Sequence, residues 1–212
     1  MKKYISPIFW GLCFVIFTIL VKTYDVQPLG AEGSLIGFAN LNTSVYTMLG
    51  ENHFCYMATQ IFGILALMVA ALFAAAGLIQ LIKRKNLFKV DRQILMAGII
   101  YLIVILLYIL FEKVPVNYRP VVFDKGLEPS YPSTHTMLIL TIFGTAMSAA
   151  GLYIKSAKLA FWAKVLCLVI IELTIVFRLL SGVHWFTDII GGLLISICLI
   201  SLYKKLIITE EK

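Results

Sequence analysis

Charge is scarce in this chain. Asp, Glu, Lys and Arg make up 14% of its 212 residues, against roughly 25% in soluble domains. With 61% hydrophobic residues and a mean hydropathy of +0.95, too few polar side chains remain to cover a surface in water. A cytosolic enzyme, a secreted disulfide module and a disordered tail are all excluded. Cysteine is also sparse. Cys13, Cys55, Cys167 and Cys198 have neither the spacing of a metal site nor that of a disulfide framework, and three lie well inside apolar runs with Cys55 near an outer end, so they read as small packing residues. Internal repeats, low-complexity tracts and linkers are missing, which predicts a single domain over residues 1–212. The net charge of +7 suggests nucleic acid until its distribution is considered.

What is abundant is apolar sequence in long runs. A membrane-spanning helix needs about 20 consecutive, mostly apolar residues. Six runs qualify, at about 4–21, 54–82, 94–111, 136–154, 159–180 and 185–203. The predicted fold is therefore all-α, a polytopic membrane protein with six transmembrane helices. The first run follows a basic Met1-Lys2-Lys3 but is too long for a secretory h-region and lacks a nearby small-residue cleavage site, so it reads as an uncleaved span.

Thirteen of the 18 Lys and Arg residues fall on one side: Lys2, Lys3, Lys83, Arg84, Lys85, Lys89, Arg92, Lys155, Lys158, Lys164, Lys204, Lys205 and Lys212. By the positive-inside tendency this side, with both termini, is cytoplasmic. No nucleic-acid partner is implied, and no obligate protein partner is evident. Lys22, Lys113, Arg119, Lys125 and Arg178 are left on the outer side. Lys125 reads as a snorkelling anchor; for Lys113 both an anchor and an anion ligand are open. The outer segment 24–53 is either a packed cover over the helix ends or, across 34–49, an interfacial amphipathic helix bordering a lipid access gap. His53 reads as a loop residue, and Glu172, mid-span, as the holder of a structural hydrogen bond.

The outer ends of the last four spans gather most of the remaining polar chemistry. His184 and Asp188 stand four residues apart and share a helix face, so the carboxylate can accept from imidazole Nδ1–H and orient the ring. An unpaired Asp188 in the apolar stretch would cost roughly 2.5–3.5 kcal/mol, which also argues for that pair. Ser133 is a natural N-cap for the fourth span, and the free amides of the first turn make an anion seat that His135 faces. Lys113, Arg119 and Arg178 add positive charge. Cations, helix-start amides and two histidines suit a phosphate group undergoing transfer. No carboxylate cluster is present to hold Mg²⁺ or Zn²⁺, so neither metal nor other cofactor is expected.

These residues resemble the type 2 phosphatidic acid phosphatase superfamily, marked by Lys-x6-Arg-Pro, Pro-Ser-Gly-His and Ser-Arg-x5-His-x3-Asp. Here the blocks read Lys113-x5-Arg119-Pro120, Pro132-Ser133-Thr134-His135 and Phe177-Arg178-x5-His184-x3-Asp188, so the motif-bearing core is 113–188. Three departures stand out. The first block is one residue short, Thr134 replaces a glycine whose absence could crowd the phosphate, and Phe177 replaces a serine. The resemblance implies His184 as nucleophile forming a phosphohistidine, Asp188 as its orienting partner, and His135 as acid and then base. It also implies Lys113, Arg119, Ser133, Thr134 and Arg178 as phosphate ligands. The implied substrate is a lipid phosphate or pyrophosphate in the bilayer, undecaprenyl pyrophosphate foremost, with phosphatidylglycerophosphate, phosphatidic acid or a lipid A phosphate as alternatives. A lipid phosphotransferase and a non-catalytic anionic-lipid transporter remain as rivals. The implied location is a bacterial cytoplasmic membrane, with the site on its outer side.

Overall fold

The computed structural model describes residues 4–123 and 126–208. Lys2, Lys3, Lys125 and Lys212, used above in the charge argument, lie outside the described residues. Among the described residues seven α-helices follow one another: α1 (Ile5–Thr23), α2 (Ala39–Leu49), α3 (His53–Arg84), α4 (Arg92–Lys113), α5 (Thr134–Tyr153), α6 (Ala157–Leu180) and α7 (Phe186–Ile207). All but α2 are long and apolar enough to cross a membrane. Among the described residues, β-structure is limited to isolated bridges. The six spans begin and end within about four residues of the apolar runs, because backbone polar groups in lipid must be satisfied within the helix itself.

Helix ends follow local chemistry. Asn52 caps α3 by accepting from Cys55 N–H at 3.0 Å, and Ser156 caps α6 by accepting from Leu159 N–H at 3.4 Å. Lys85, left-handed at φ 52°, closes α3 just after Lys83 and Arg84 in its last turn, where cations complement the helix dipole. At 32 residues α3 is about 48 Å long, more than the roughly 30 Å hydrocarbon layer requires.

The bundle is packed inside-out relative to a water-soluble protein. Leu, Ile and Phe side chains of α1, α3, α4 and α6 are exposed along its outside. The centre is α5, which touches α3, α4, α6 and α7 and buries Thr136, Thr141 and Thr145. Two of these hydroxyls are satisfied inside the core, Thr145 donating to Thr141 O at 2.9 Å and Thr136 to Ser133 Oγ at 2.9 Å. Close contact between α5 and α7 needs Gly192, where an added Cβ would lie 2.9 Å from Thr136 Cβ and 3.1 Å from Ser133 O. The four cysteines are free. Glu172 differs from the sequence reading: it lies exposed on α6, with no hydrogen bond found among the described residues, because that face of the helix points away from the bundle.

The segment between α1 and α3 contains a short helix and packs against the bundle. Gln27 and Ile36 form an antiparallel bridge, and the chain then turns through a left-handed Phe38 into α2. This helix covers residues 39–49 only, and it is docked by one face while Leu41 and Met48 stay exposed on the other. Ile36 and Ala39 are buried against Trp185, with Tyr46 beside them. Asn42, fully buried, donates to Gly37 O at 2.8 Å and to Thr187 Oγ1 at 2.9 Å, and accepts from Thr187 N–H at 3.1 Å. A side chain on α2 thus caps the first turn of α7.

Candidate active site

The C-termini of α4 and α6 and the N-termini of α3, α5 and α7 meet at one end of the bundle. The basic turns 83–89 and 155–158 lie at the other end. Two irregular stretches are laced together over the site. Arg119 N–H donates to Glu128 O at 3.0 Å and Ser130 N–H to Asn117 O at 2.9 Å, while Trp185 Nε1–H donates to Tyr118 O at 2.7 Å. Ser133 N–H donates to Asp188 O at 3.0 Å, which ties the start of α5 to the start of α7. The turn before α7 uses Gly182 at φ +70°; a Cβ there would also lie 2.9 Å from Gly50 O. Such a left-handed position close to another backbone favours glycine.

His184 and Asp188 are both buried, with His184 Nδ1 3.4 Å from Asp188 Oδ2. The same carboxylate oxygen accepts from Trp185 N–H at 2.9 Å, and Ser130 and Asn117 also face the Asp188 carboxylate. On the other edge of the ring, Arg119 Nη1 lies 3.3 Å from His184 Nε2. A guanidinium can only donate, so Nε2 is the acceptor and the ring proton belongs on Nδ1, facing Asp188. Burial, then the Arg119 and Arg178 charges, hold the His184 imidazolium well below the usual imidazole range. The ring is accordingly neutral, with a lone pair on Nε2 directed at Arg119.

Arg178 is buried at the end of α6. Its Nη1 donates to Thr59 Oγ1 at 3.1 Å, and its guanidinium lies 5.8 Å from the centre of the Tyr56 ring. Arg119 sits 5.3 Å from the centre of the Phe123 ring, with its Nε 3.2 Å from Glu128 Oε2. His135 Nε2 and Gln60 Oε1 are 2.7 Å apart. Arg119, His135, Arg178, Tyr56, Gln60, Val122, Phe123 and Glu128 line a cavity of about 340 Å³. Two guanidiniums and an imidazole on one wall suit an anion. Arg119 belongs both to this cavity and to His184, and so connects the ring nitrogen to the space where an anion would sit.

The structure therefore brings Arg119, His135, Arg178, His184 and Asp188 together. Ser133 is buried and uses its hydroxyl as the α5 cap, accepting from Thr136 Oγ1 at 2.9 Å and Thr136 N–H at 3.4 Å. Thr134 lines a small separate crevice with Leu107, Tyr108 and Phe111 of α4. Its side chain thus does not crowd the anion cavity, and the first-turn amides of α5 stay available. Lys113 is exposed at the end of α4 and is not among the residues lining the cavity. Phe177 stacks on Phe62 with ring centres 6.3 Å apart, joining α6 to α3. His53 differs from the sequence reading in being the first residue of α3, exposed beside Tyr56 in an outer cavity of about 500 Å³. Lys22, at the end of α1, donates to Pro115 O at 3.1 Å. Among the described residues, no three His, Cys, Asp or Glu side chains converge as a metal would need.

Sequence reasoning missed Tyr56, Thr59 and Gln60, although two adjacent polar residues inside an apolar span were a visible signal. Asn42, Asn117 and Ser130 had none, since their partners are distant in the chain.

Comparison with known proteins is in line with this geometry. A profile of the PAP2 superfamily matches residues 55–211. No protein of curated function matches the chain. Among solved structures, the chain is similar to the crystal structure of the first transmembrane PAP2 type phosphatidylglycerolphosphate phosphatase from Bacillus subtilis. Identity is 18%, coverage is 94% of each chain and the TM-score is 0.65. A likeness at that identity speaks for the fold.

Proposed function

The chain belongs to the PAP2 superfamily, and from that premise we propose that it hydrolyses a lipid phosphate or pyrophosphate through a phosphohistidine on His184. The observation that carries this reading is the ring of His184 held between Asp188 at Nδ1 and Arg119 at Nε2, 3.4 and 3.3 Å away, with Arg119 also lining a cavity that bears a second arginine and a second histidine. A nucleophilic imidazole needs an unprotonated nitrogen, a fixed tautomer and a partner for the charge it acquires; Arg119 keeps Nε2 unprotonated and Asp188 supplies the other two.

The steps follow from the residues. Arg119, Arg178 and the first-turn amides of α5 at Thr134 and His135 hold the phosphate, with Ser133 fixing that turn and Lys113 acting on approach from outside. Arg119 shifts its hydrogen bond from Nε2 to a phosphate oxygen, which frees the lone pair. Nε2 attacks phosphorus and the bond to the leaving oxygen breaks, with a proton supplied by His135. Water then attacks the phosphohistidine and gives its proton to His135, restoring both rings. Asp188 stabilises the charge on His184, as a carboxylate beside imidazole does.

The lipid tail remains in the bilayer while the phosphate enters from the surface. The distribution of Lys and Arg favours the outer face of a bacterial cytoplasmic membrane. An undecaprenyl pyrophosphate carrier presents its phosphates there, which makes it the first candidate. Phosphatidylglycerophosphate is the second, since the similar solved structure is described as a phosphatase for that lipid. The test is phosphate release by the purified protein with EDTA present, from undecaprenyl pyrophosphate, phosphatidylglycerophosphate, phosphatidic acid and lipid A phosphate. Release that resists EDTA and falls at least about 10³-fold in His184→Ala supports the reading, and the ranking identifies the lipid. Folded wild-type protein that releases nothing, or transfers phosphate only to an alcohol, contradicts it.

A further inference from the structure

Along α3, Tyr56, Thr59, Gln60 and Gly63 stand at positions i, i+3, i+4 and i+7, on one helix face. Each meets a residue of the site. Tyr56 presents its ring to Arg178, and Thr59 accepts from Arg178 at 3.1 Å. Gln60 Oε1 lies 2.7 Å from His135 Nε2. An added Cβ on Gly63 would lie 3.4 Å from His135 Cδ2 and 3.5 Å from Nε2, so the imidazole rests directly against the helix. None of the four belongs to the three sequence blocks through which the site was first read.

We propose that Gln60 is a positioning residue for His135, an inference that rests on the phosphatase reading and adds a residue to it. A side-chain amide oxygen accepts the Nε2–H bond but cannot itself take the proton. It therefore fixes the ring's rotation and tautomer with Nε2–H, leaving Nδ1 to carry the proton that passes to a leaving oxygen. A carboxylate in the same place would hold that proton as part of an ion pair. The other groups facing the cavity with His135 are Arg178 from α6, Arg119 and Glu128 from the stretch between α4 and α5, and Tyr56 from α3; His184 lies behind Arg119. The acid in this set, Glu128, is 3.2 Å from Arg119 Nε, so Gln60 is the side chain within hydrogen-bond distance of the His135 ring.

The experiment compares wild type, Gln60→Ala and Gln60→Glu in detergent, measuring kcat and KM from about pH 5 to pH 9 on a short-chain lipid phosphate. With the acceptor gone, Gln60→Ala should lose kcat by about 10- to 100-fold while KM changes by no more than about threefold. Gln60→Glu is nearly isosteric and keeps an acceptor at Nε2, so it preserves folding where the alanine variant fails to. Its carboxylate should move the alkaline limb of kcat/KM upward by about one to three pH units, because His135 must be protonated to serve as acid and the new charge retains that proton. A Gln60→Glu profile that superposes on wild type, or a folded Gln60→Ala with unchanged kcat, would overturn the proposal. Turnover in wild type with unaltered variants removes the role of Gln60 alone; no turnover in wild type removes the phosphatase reading and this proposal with it.

Discussion

Replacing Asn42 with alanine should unfold the protein more easily, although Asn42 lies far in sequence from every phosphate-binding block. Its side chain is fully buried and makes three hydrogen bonds, two of them to backbone groups, Gly37 O and Thr187 N–H. Alanine leaves both backbone groups buried without a partner, while the Thr187 hydroxyl can rotate to another acceptor. An orphaned buried group costs about 1–3 kcal/mol, and loss of a helix cap alone costs about 1. Some relaxation is certain in a loop-rich region, so the two losses together should come to about 2–4 kcal/mol. For a protein of this length that corresponds to a fall in melting temperature of roughly 4–16 °C. Thermal unfolding in detergent, followed by tryptophan fluorescence, measures it. Ser44→Ala is the control, because Ser44 sits exposed on the same helix and bonds only to Asn40 O; it should change stability by no more than about 0.5 kcal/mol. Equal melting temperatures for the two variants would refute the claim that α2 is held to α7 through Asn42.

Lys113→Ala should keep kcat within about threefold of wild type, since Lys113 is exposed and does not line the cavity, whereas Arg178→Ala should lose at least about 100-fold in kcat by steady-state assay. The acid limb of kcat/KM should lie well below the ordinary imidazole value of about 6.5. Burial together with Arg119 and Arg178 keeps His184 neutral, and the nucleophile is lost only as pH falls through that depressed value. Arg119→Gln removes one of the cations that hold it down and should move the limb upward, which a pH profile of the variant would record. Gly192→Val should separate α5 from α7, because a Cβ already meets Thr136 at 2.9 Å; a destabilisation of about 1–3 kcal/mol by thermal unfolding is expected.

The spans were legible because lipid imposes one demand, a long apolar helix, and six runs meet it without ambiguity. His184 and Asp188 were legible because only four residues separate them, although they do not share a helix face as the spacing suggested: His184 lies in the turn before α7, and Asp188 in the first turn of the helix. The outer segment was less so. Residues 34–49 have apolar positions suited to either a cover or an interfacial helix, and only the contacts of Ile36 and Ala39 with Trp185 show how α2 is docked. Thr134 shows a second limit, since whether its side chain would crowd a phosphate depended on its direction, and it points toward α4. The α3 face bearing Thr59 and Gln60 carried a signal in its polarity, but the partners Arg178 and His135 are 119 and 75 residues away in sequence, a distance no local pattern spans.

The most direct measurement is to mix the purified protein with a lipid phosphate carrying ³²P in the transferred group, quench within milliseconds in base, and map the label on the protein. Wild type, and more strongly His135→Ala, in which water is no longer activated, should carry phosphate that is stable in base and labile in acid. The label should map to His184 and be absent from His184→Ala. Phosphate release by wild type with no such label in either protein, or with the label on another residue, would contradict a phosphohistidine at His184.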